Sequence, residues 1–174
     1  MKMKPSLLAA AALAAVILTL VVSPIVPAWN RSSSIPEGLY LATDASAATV
    51  LARGQLACFP YENPEWVKKP YLYKGEILCK YVMGMPGDIV KTTAGGANQI
   101  CSAGRCADVG VALKRDSRGD ATSPPVFSDT VIPEGSYYMG STRRPNSLDS
   151  RYLGLVPKTK IVKTLVPVLV QQDN

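Results

Sequence analysis

The sequence predicts a mostly β protein, in which a small, curved, antiparallel sheet with a barrel-like shape follows one N-terminal transmembrane helix. Beyond residue 30, short runs rich in β-branched and aromatic residues alternate with Gly and Pro, and no window has a helical period. Before that point the chain is almost continuously apolar. The expected strands are Gly38–Ala42, Thr49–Leu51, Gln55–Phe59, Ile77–Met83, Asp88–Thr92, Val109–Leu113, Ser136–Gly140 and Ile161–Val170.

Residues 1–29 are predicted to be a membrane anchor. The apolar stretch Ser6–Ala28 is long enough to cross a bilayer core, which needs roughly 20 residues. Lys2 and Lys4 favour a cytoplasmic N-terminus by the positive-inside rule, so the rest of the chain is expected on the opposite side. A cleavable secretory signal is the alternative, because Val26-Pro27-Ala28 loosely resembles a cleavage site. A proline beside the bond makes that site a poor peptidase substrate.

Residues 30–174 are predicted to form one domain, because they suffice for one hydrophobic core and not for two. Of the 19 Lys and Arg residues, Lys2 and Lys4 precede the apolar segment, which leaves 17 basic against 13 acidic side chains. This mild excess favours contact with an anionic lipid surface. Without a Lys/Arg stripe or interleaved aromatic residues, the sequence gives no indication of a nucleic-acid partner.

The four cysteines are predicted to form disulfides, since an exported chain lies in an oxidising compartment. Cys58, Cys79, Cys101 and Cys106 allow three pairings. The short gap between Cys101 and Cys106, with Gly104 inside it, suits a hairpin closed by a bridge, which would leave Cys58 for Cys79. A zinc site is the alternative, but the chain has no C-x-x-C pair and no histidine, so no metal or cofactor is expected.

Lys80 is a candidate catalytic residue because it lies inside the apolar run Ile77–Met83. A charged residue there is costly unless it has a partner or has lost its proton. The chain contains no histidine, so a serine hydrolase built from it could not use a histidine base, and a Ser-Lys pair is the form of activation to test. Ser32, Ser33 and Ser34 follow the apolar segment and supply candidate nucleophiles, although such a run is also typical of a solvated loop.

Two longer segments are predicted to be loops. Asn63–Pro70 contains two prolines and Trp66, and we expect it to lie over a groove or at the membrane. Lys114–Pro125 is rich in charge, Gly, Ser and Pro, which predicts a mobile, solvated connection.

Three motifs resemble the conserved boxes of the type I signal peptidase superfamily in sequence, order and spacing. They are Ser34–Tyr40 (SIPEGLY), Lys80–Asp88 (KYVMGMPGD) and Asn146–Gly154 (NSLDSRYLG). The first box, read from Asn30, is most similar to that of the TraF-type peptidases of conjugative transfer systems. The chain departs from the housekeeping enzymes where Gly140-Ser141-Thr142 replaces Gly-Asp-Asn, and where a Cys101–Cys106 hairpin replaces a larger cap domain.

The resemblance implies a role for each matching residue. Ser34 corresponds to the nucleophile by the TraF-type spacing, whereas the housekeeping spacing would select Ser33. Ser32 matches a position where relatives place a hydroxyl near the oxyanion, and the alternative is that it only caps a turn. Lys80 corresponds to the general base, whose pKa burial must lower. Asp149 is expected to pair with Arg151 and to orient the strand beside this dyad.

The function implied by the resemblance is that of a membrane-anchored serine endopeptidase. It would act through a Ser-Lys dyad and an acyl-enzyme on a membrane-inserted precursor with small residues before the scissile bond. The TraF likeness implies a conjugative pilin subunit, possible pilin cyclisation, and partners in a conjugative type IV secretion system. The expected location is the inner membrane, with the catalytic domain in the periplasm. The alternatives are a housekeeping type I signal peptidase and a non-catalytic periplasmic β-domain subunit of a secretion apparatus.

Overall fold

A computed structural model describes residues 25–171. In this part of the chain there are eleven strands, one short helix and one 3-10 turn. The strands are β1 Ile25–Asn30, β2 Gly38–Asp44, β3 Leu56–Pro60, β4 Ile77–Gly84, β5 Ile89–Thr92, β6 Ala97–Ser102, β7 Arg105–Val111, β8 Thr130–Val131, β9 Ser136–Gly140, β10 Val156–Pro157 and β11 Lys163–Val170. The helix, α1, is Ser150–Leu153, and the 3-10 turn is Lys158–Lys160.

The described strands form two antiparallel sheets. The larger sheet has seven strands in the order β1-β2-β11-β3-β4-β9-β10, and the smaller has four in the order β7-β6-β5-β8. The predicted mostly β, antiparallel architecture is confirmed, but the strands are divided between two sheets and do not form one barrel-like sheet. β4 lies inside the larger sheet, between β3 and β9.

A tight turn at Met85–Asp88 carries the chain from β4 into the smaller sheet. Gly87 has a φ of 85°, which glycine adopts without steric cost. The Asp88 carboxylate accepts the Met85 backbone N–H at 2.6 Å and pairs with Arg53 at 2.6 Å. These contacts hold the backbone directly after the C-terminal end of β4.

The core consists of three clusters of buried side chains. One packs Ile35, Tyr40 and further residues of β2, β3 and β11, and a second joins β3, β4 and β9 around Val82. The third lies against the smaller sheet around Val90 and Tyr138. Burial alternates along β2 and along the second half of β4, as expected of strands with two different faces.

Both predicted disulfides are present. Cys58 on β3 lies opposite Cys79 on β4, and Cys101 on β6 lies opposite Cys106 on β7. The first bridge links the strand of Lys80 to its neighbour, and the second closes the predicted hairpin. The described part of the chain contains no free cysteine.

One predicted strand is wrong. Thr49–Leu51 is a loop, because residues 46–49 form a turn closed by their own hydrogen bonds. The Ser46 backbone N–H donates to the Thr49 hydroxyl at 2.8 Å, and the Thr49 N–H donates to the Ser46 carbonyl at 3.0 Å. Leu51 is buried in the core although the run is unpaired.

The end of the predicted membrane segment also needs correction. Residues 25–28, the last four of the predicted Ser6–Ala28 span, belong to β1, which pairs with β2 along its whole length. The rest of the predicted anchor lies outside the described residues. Within residues 25–171, no helix is long and apolar enough to cross a bilayer.

Candidate active site

Asn30 organises the turn that carries the three serines. Its side-chain Nδ2 donates to the carbonyl oxygens of Ser32, Ile35 and Pro36 at 2.9, 3.2 and 3.0 Å. Ile35 is fully buried in the core, so the turn is held both by the Asn30 hydrogen bonds and by the packing of this side chain. The backbone around Ser34 is thereby held in one conformation between β1 and β2.

Ser34 is half-buried and is tied to the end of β9. Its carbonyl oxygen accepts a hydrogen bond from the hydroxyl of Ser141, the residue that follows β9. The Ser141 backbone N–H in turn donates to Asp149 Oδ2 at 3.3 Å. The structure thus joins the first motif to the third through Ser141, a residue that the sequence analysis noted only as a departure from the family pattern.

Lys80 is buried on β4, with 3% of its surface exposed. It pairs in register with Ala57 of β3, beside the Cys58–Cys79 bridge. Removal of the ammonium group from water lowers the pKa of Lys80 from 10.5 to about 8. The negative charge of Asp149 opposes this change, and the positive charge of Arg151 adds to it.

Ser34 and Lys80 line the same groove, of about 290 Å³, which we call the serine-lysine groove. Its floor and walls come from the serine turn, β4, the loops 61–76 and 112–129, and the third motif. The lining residues are Ser33, Ser34, Trp66, Tyr71, Leu72, Leu78, Lys80, Leu113, Arg115, Asp116, Ser117, Thr122, Arg144, Asn146, Ser147, Leu148 and Tyr152.

The other two serines of the turn occupy different positions. Ser33 is exposed and also lines the groove, so both predicted nucleophiles face the same space. Ser32 is exposed and is not among the lining residues. Its hydroxyl donates to Asn30 Oδ1 at 2.8 Å, and its backbone N–H donates to the same oxygen at 3.0 Å. In this structure Ser32 therefore makes the turn-capping contact that was the alternative to an oxyanion contact.

Asp149 and Arg151 form a buried ion pair, with exposed side-chain fractions of 0% and 2%. Asp149 caps the N-terminus of α1 by accepting the Arg151 backbone N–H at 3.1 Å. The guanidinium also donates to both carboxylate oxygens, from Nε to Oδ1 at 2.9 Å and from Nη2 to Oδ2 at 2.7 Å. Such a two-pronged contact satisfies both charges in a place that water does not reach.

Arg151 also fixes the loop between β9 and α1. Its Nη2 donates to the carbonyl oxygens of Ser141 and Arg144 at 3.1 and 3.2 Å, and its Nη1 donates to that of Pro145 at 3.2 Å. Gly110 on β7, with a φ of 108°, leaves room for this guanidinium. A Cβ at Gly110 would lie 2.7 Å from Arg151 Nη1.

Ser147 is a site residue whose role the sequence analysis missed, although it lies inside the third motif. It is buried and lines the groove, and its hydroxyl has no hydrogen-bond partner among the described residues. An unsatisfied buried hydroxyl is uncommon, which makes Ser147 a candidate for contact with a bound molecule. Within residues 25–171, no cluster of three or more acidic or cysteine side chains is placed to hold a metal ion.

Comparison with known families matches residues 1–169 to the family described as signal peptidase, peptidase S26. The chain belongs to this family. The predicted membership of the signal peptidase superfamily, a family of serine peptidases, is therefore confirmed. The TraF-type subgroup is a finer assignment than this match provides.

Two individual proteins illustrate the similarity. A signal peptidase I of Buchnera aphidicola is 39% identical over 44 residues, which cover 25% of this chain and 14% of that protein. The match thus spans about a seventh of that peptidase's length. A crystal structure of a signal peptidase I from Enterococcus faecalis is 22% identical, with a TM-score of 0.37, over 65% of this chain and 94% of that one.

The buried ion pair generates a prediction about stability. Asp149→Asn leaves the buried Arg151 guanidinium without a counter-charge, so we expect it to lower the free energy of unfolding by about 3–5 kcal/mol. Asp44→Asn is the matched control, because it breaks the exposed pair of Asp44 with Lys163. We expect this control to cost less than about 1 kcal/mol. Urea denaturation of the two variants measures the difference, and equal losses would contradict the importance of the buried pair.

Proposed function

We propose that the chain is a serine endopeptidase in which Ser34 is the nucleophile and Lys80 is the general base. The observation that carries the proposal is that both side chains line one groove while the Lys80 amine is buried and its pKa lowered. A serine hydroxyl is a weak nucleophile unless a neighbouring base takes its proton. No histidine is present in the sequence to do so.

The low pKa of Lys80 makes the proposed base available. A lysine in water, with a pKa near 10.4, is neutral in only about one molecule in 2,500 at pH 7. With a pKa of about 8, roughly one molecule in ten is neutral at pH 7. The burial of Lys80 therefore raises the fraction of competent base about two hundredfold.

The proposed reaction has two halves. As Ser34 Oγ bonds to the scissile carbonyl carbon, its proton passes to the neutral Lys80 amine, and the carbonyl oxygen gains the negative charge. The resulting ammonium gives this proton to the leaving amine when the C–N bond breaks, which leaves an acyl-enzyme on Ser34. Water then attacks this ester, with Lys80 again taking and returning a proton.

The negatively charged oxygen of the intermediate requires hydrogen-bond donors. We propose that the Ser34 backbone N–H supplies one. Ser32 would supply the second if its hydroxyl exchanged Asn30 for the substrate oxygen. The ion pair of Asp149 with Arg151 would act indirectly, by holding Ser141 and, through it, the carbonyl of Ser34.

The substrate is proposed to be an extended polypeptide. Only the second half of β4, Tyr81–Gly84, pairs with β9. The first half, Ile77–Lys80, pairs with β3 and has no described strand on its other side. Leu78 and Lys80 of this half line the groove. A substrate strand could pair here, as extended peptides pair with open sheet edges, and bring its scissile bond to Ser34.

Location at a membrane surface is supported by an apolar outer face on β1, β2 and β11. Leu41 of β2 lies in register with Pro27 on one side and Val166 on the other. Trp29 and Leu169 continue this face, with 63% and 70% of their surfaces exposed. Such a face, next to the serine turn and to a long apolar N-terminal segment, suits contact with lipid. We propose that the domain lies on the periplasmic side of the inner membrane.

We further propose that the precursor is a conjugative pilin subunit, and that components of a type IV secretion system are partners. One residue separates Ser34 from Pro36, which is the TraF-type spacing. An amine in place of water would resolve the acyl-enzyme into a cyclic pilin. The housekeeping alternative is favoured by the similarity to the Buchnera signal peptidase I. Location of the gene among pilin and mating-channel genes would separate the two.

The first prediction of this proposal concerns Lys80→Arg. Arginine keeps the positive charge but cannot lose its proton at accessible pH, so cleavage of the precursor should stop. For the unaltered protein, kcat/KM should rise about tenfold per pH unit below the lowered pKa and level off above it. Circular dichroism and thermal melting of the variant control for folding. A folded Lys80→Arg or Lys80→Met protein that cuts at near the normal rate would rule out Lys80 as the base and contradict the Ser-Lys dyad.

The second prediction identifies the nucleophile. Ser34→Ala should abolish cleavage, whereas Ser33→Ala should retain most of it, because the TraF-type spacing selects Ser34. The two variants are matched controls for each other, since both serines lie in one turn and line one groove. A pilin-processing assay gives the ranking, and the reverse order would move the nucleophile to Ser33.

A further inference from the structure

Two loops that are distant in the sequence form one wall of the serine-lysine groove. The first, residues 61–76, connects β3 to β4 and contributes Trp66, Tyr71 and Leu72. The second, residues 112–129, connects β7 to β8 and contributes Asp116 among others. This side of the groove is therefore formed by both loops and depends on the contact between them.

Three side chains join these loops. The Tyr71 hydroxyl donates to Asp116 Oδ2 at 2.6 Å. The Arg118 guanidinium lies over the Tyr71 ring, 4.1 Å from its centre, and its Nη2 donates to the Lys69 carbonyl oxygen at 2.7 Å. Arg118 Nε also approaches Asp116 Oδ2 at 3.4 Å. We call Tyr71, Asp116 and Arg118 the loop clamp.

Asp116 shapes its own loop as well. Its Oδ1 accepts the backbone N–H groups of Arg118 and Asp120, both at 2.8 Å. The side chain is only 7% exposed, which is low for an aspartate in a loop rich in charge, Gly and Ser. The predicted connection at Lys114–Pro125 is mostly exposed to solvent, as expected, and these contacts also hold it against the neighbouring loop.

The wall faces the place where the proposed substrate would lie. Leu78 and Lys80 are two residues apart on β4, so their side chains share a face, and both line the groove. A substrate side chain next to the scissile bond would contact Leu78 on one side and the wall on the other. Trp66 also packs against Tyr152, with 6.4 Å between the two ring centres. The Tyr152 hydroxyl accepts the Leu113 backbone N–H, which connects this aromatic pair to the second loop.

We propose that the loop clamp is a positioning device that sets the width of the groove and thereby selects precursors with a small side chain beside the scissile bond. The proposal rests on the peptidase function proposed above. Loss of the clamp lets the two loops separate, so that the groove admits larger side chains. The residues of the clamp act through the wall and not on the reacting atoms.

Tyr71→Phe tests the clamp, since it removes only the hydroxyl that donates to Asp116. Tyr73→Phe is the matched control, because Tyr73 lies in the same loop and is 88% exposed. The full-length protein in detergent micelles is given internally quenched peptides with Ala, Ser, Leu or Phe at one central position. We expect the unaltered protein and Tyr73→Phe to prefer Ala and Ser. In Tyr71→Phe the preference for Ala over Leu should fall about tenfold, the factor that corresponds to roughly 1.4 kcal/mol.

Trypsin sensitivity of the same proteins provides a measurement that does not depend on peptidase activity. Cleavage after Arg115 and Arg118 should be about tenfold faster in Tyr71→Phe than in the unaltered protein or Tyr73→Phe, because local opening exposes the loop. The thermal midpoint should change little. Unchanged trypsin cleavage in Tyr71→Phe would overturn the clamp, and faster cleavage with unchanged preference would overturn its role in selection. If the unaltered protein cuts none of the peptides, the proposed function and the role in selection fail together, and the trypsin result alone decides whether the clamp exists.

Discussion

Lys80 is buried on β4 of the larger sheet, and neighbouring residues keep its amine there without a full counter-charge. A carboxylate close to a buried lysine normally stabilises its charged form and raises its pKa. Here Arg151 occupies both oxygens of Asp149, so the carboxylate lies near the lysine but is already paired. Desolvation therefore remains the largest influence on the pKa of Lys80. The ion pair is best understood as the means by which an acidic residue can shape this site without neutralising its base.

The same ion pair supports the serine end of the proposed dyad. Asp149 accepts the Ser141 N–H, and the Ser141 hydroxyl donates to the carbonyl oxygen of Ser34. A residue 107 positions from Ser34 in the sequence thus holds the turn that carries the proposed nucleophile. Lys80 is fixed separately, by strand pairing and by the neighbouring disulfide. Two rigid supports, one for the hydroxyl and one for the amine, meet at a single groove.

Local patterns in the sequence predicted much of the fold and of the site, whereas contacts between distant segments could not be predicted. The apolar run around Lys80 predicted β4, and the short cysteine gap predicted the β6–β7 hairpin. β1 was missed because a continuous apolar segment does not show where a predicted membrane span stops and a strand begins. The contact of Ser32 with Asn30 depends on turn geometry, which composition does not specify. The bond of Tyr71 to Asp116 joins residues 45 positions apart, and neither loop's sequence indicates the other as its partner.

Direct titration of Lys80 tests the central claim, which is that the fold lowers the pKa of this amine. Full-length protein with ¹³C-labelled lysine, held in detergent micelles, would be followed by NMR at the Cε resonance from neutral to strongly alkaline pH. The Lys80→Met variant, which lacks this signal, assigns it. The account predicts a midpoint of about 8, well below the ordinary value for a lysine side chain. A midpoint near the ordinary value of 10.5 would mean that burial does not prepare Lys80 as a base, and would contradict the account.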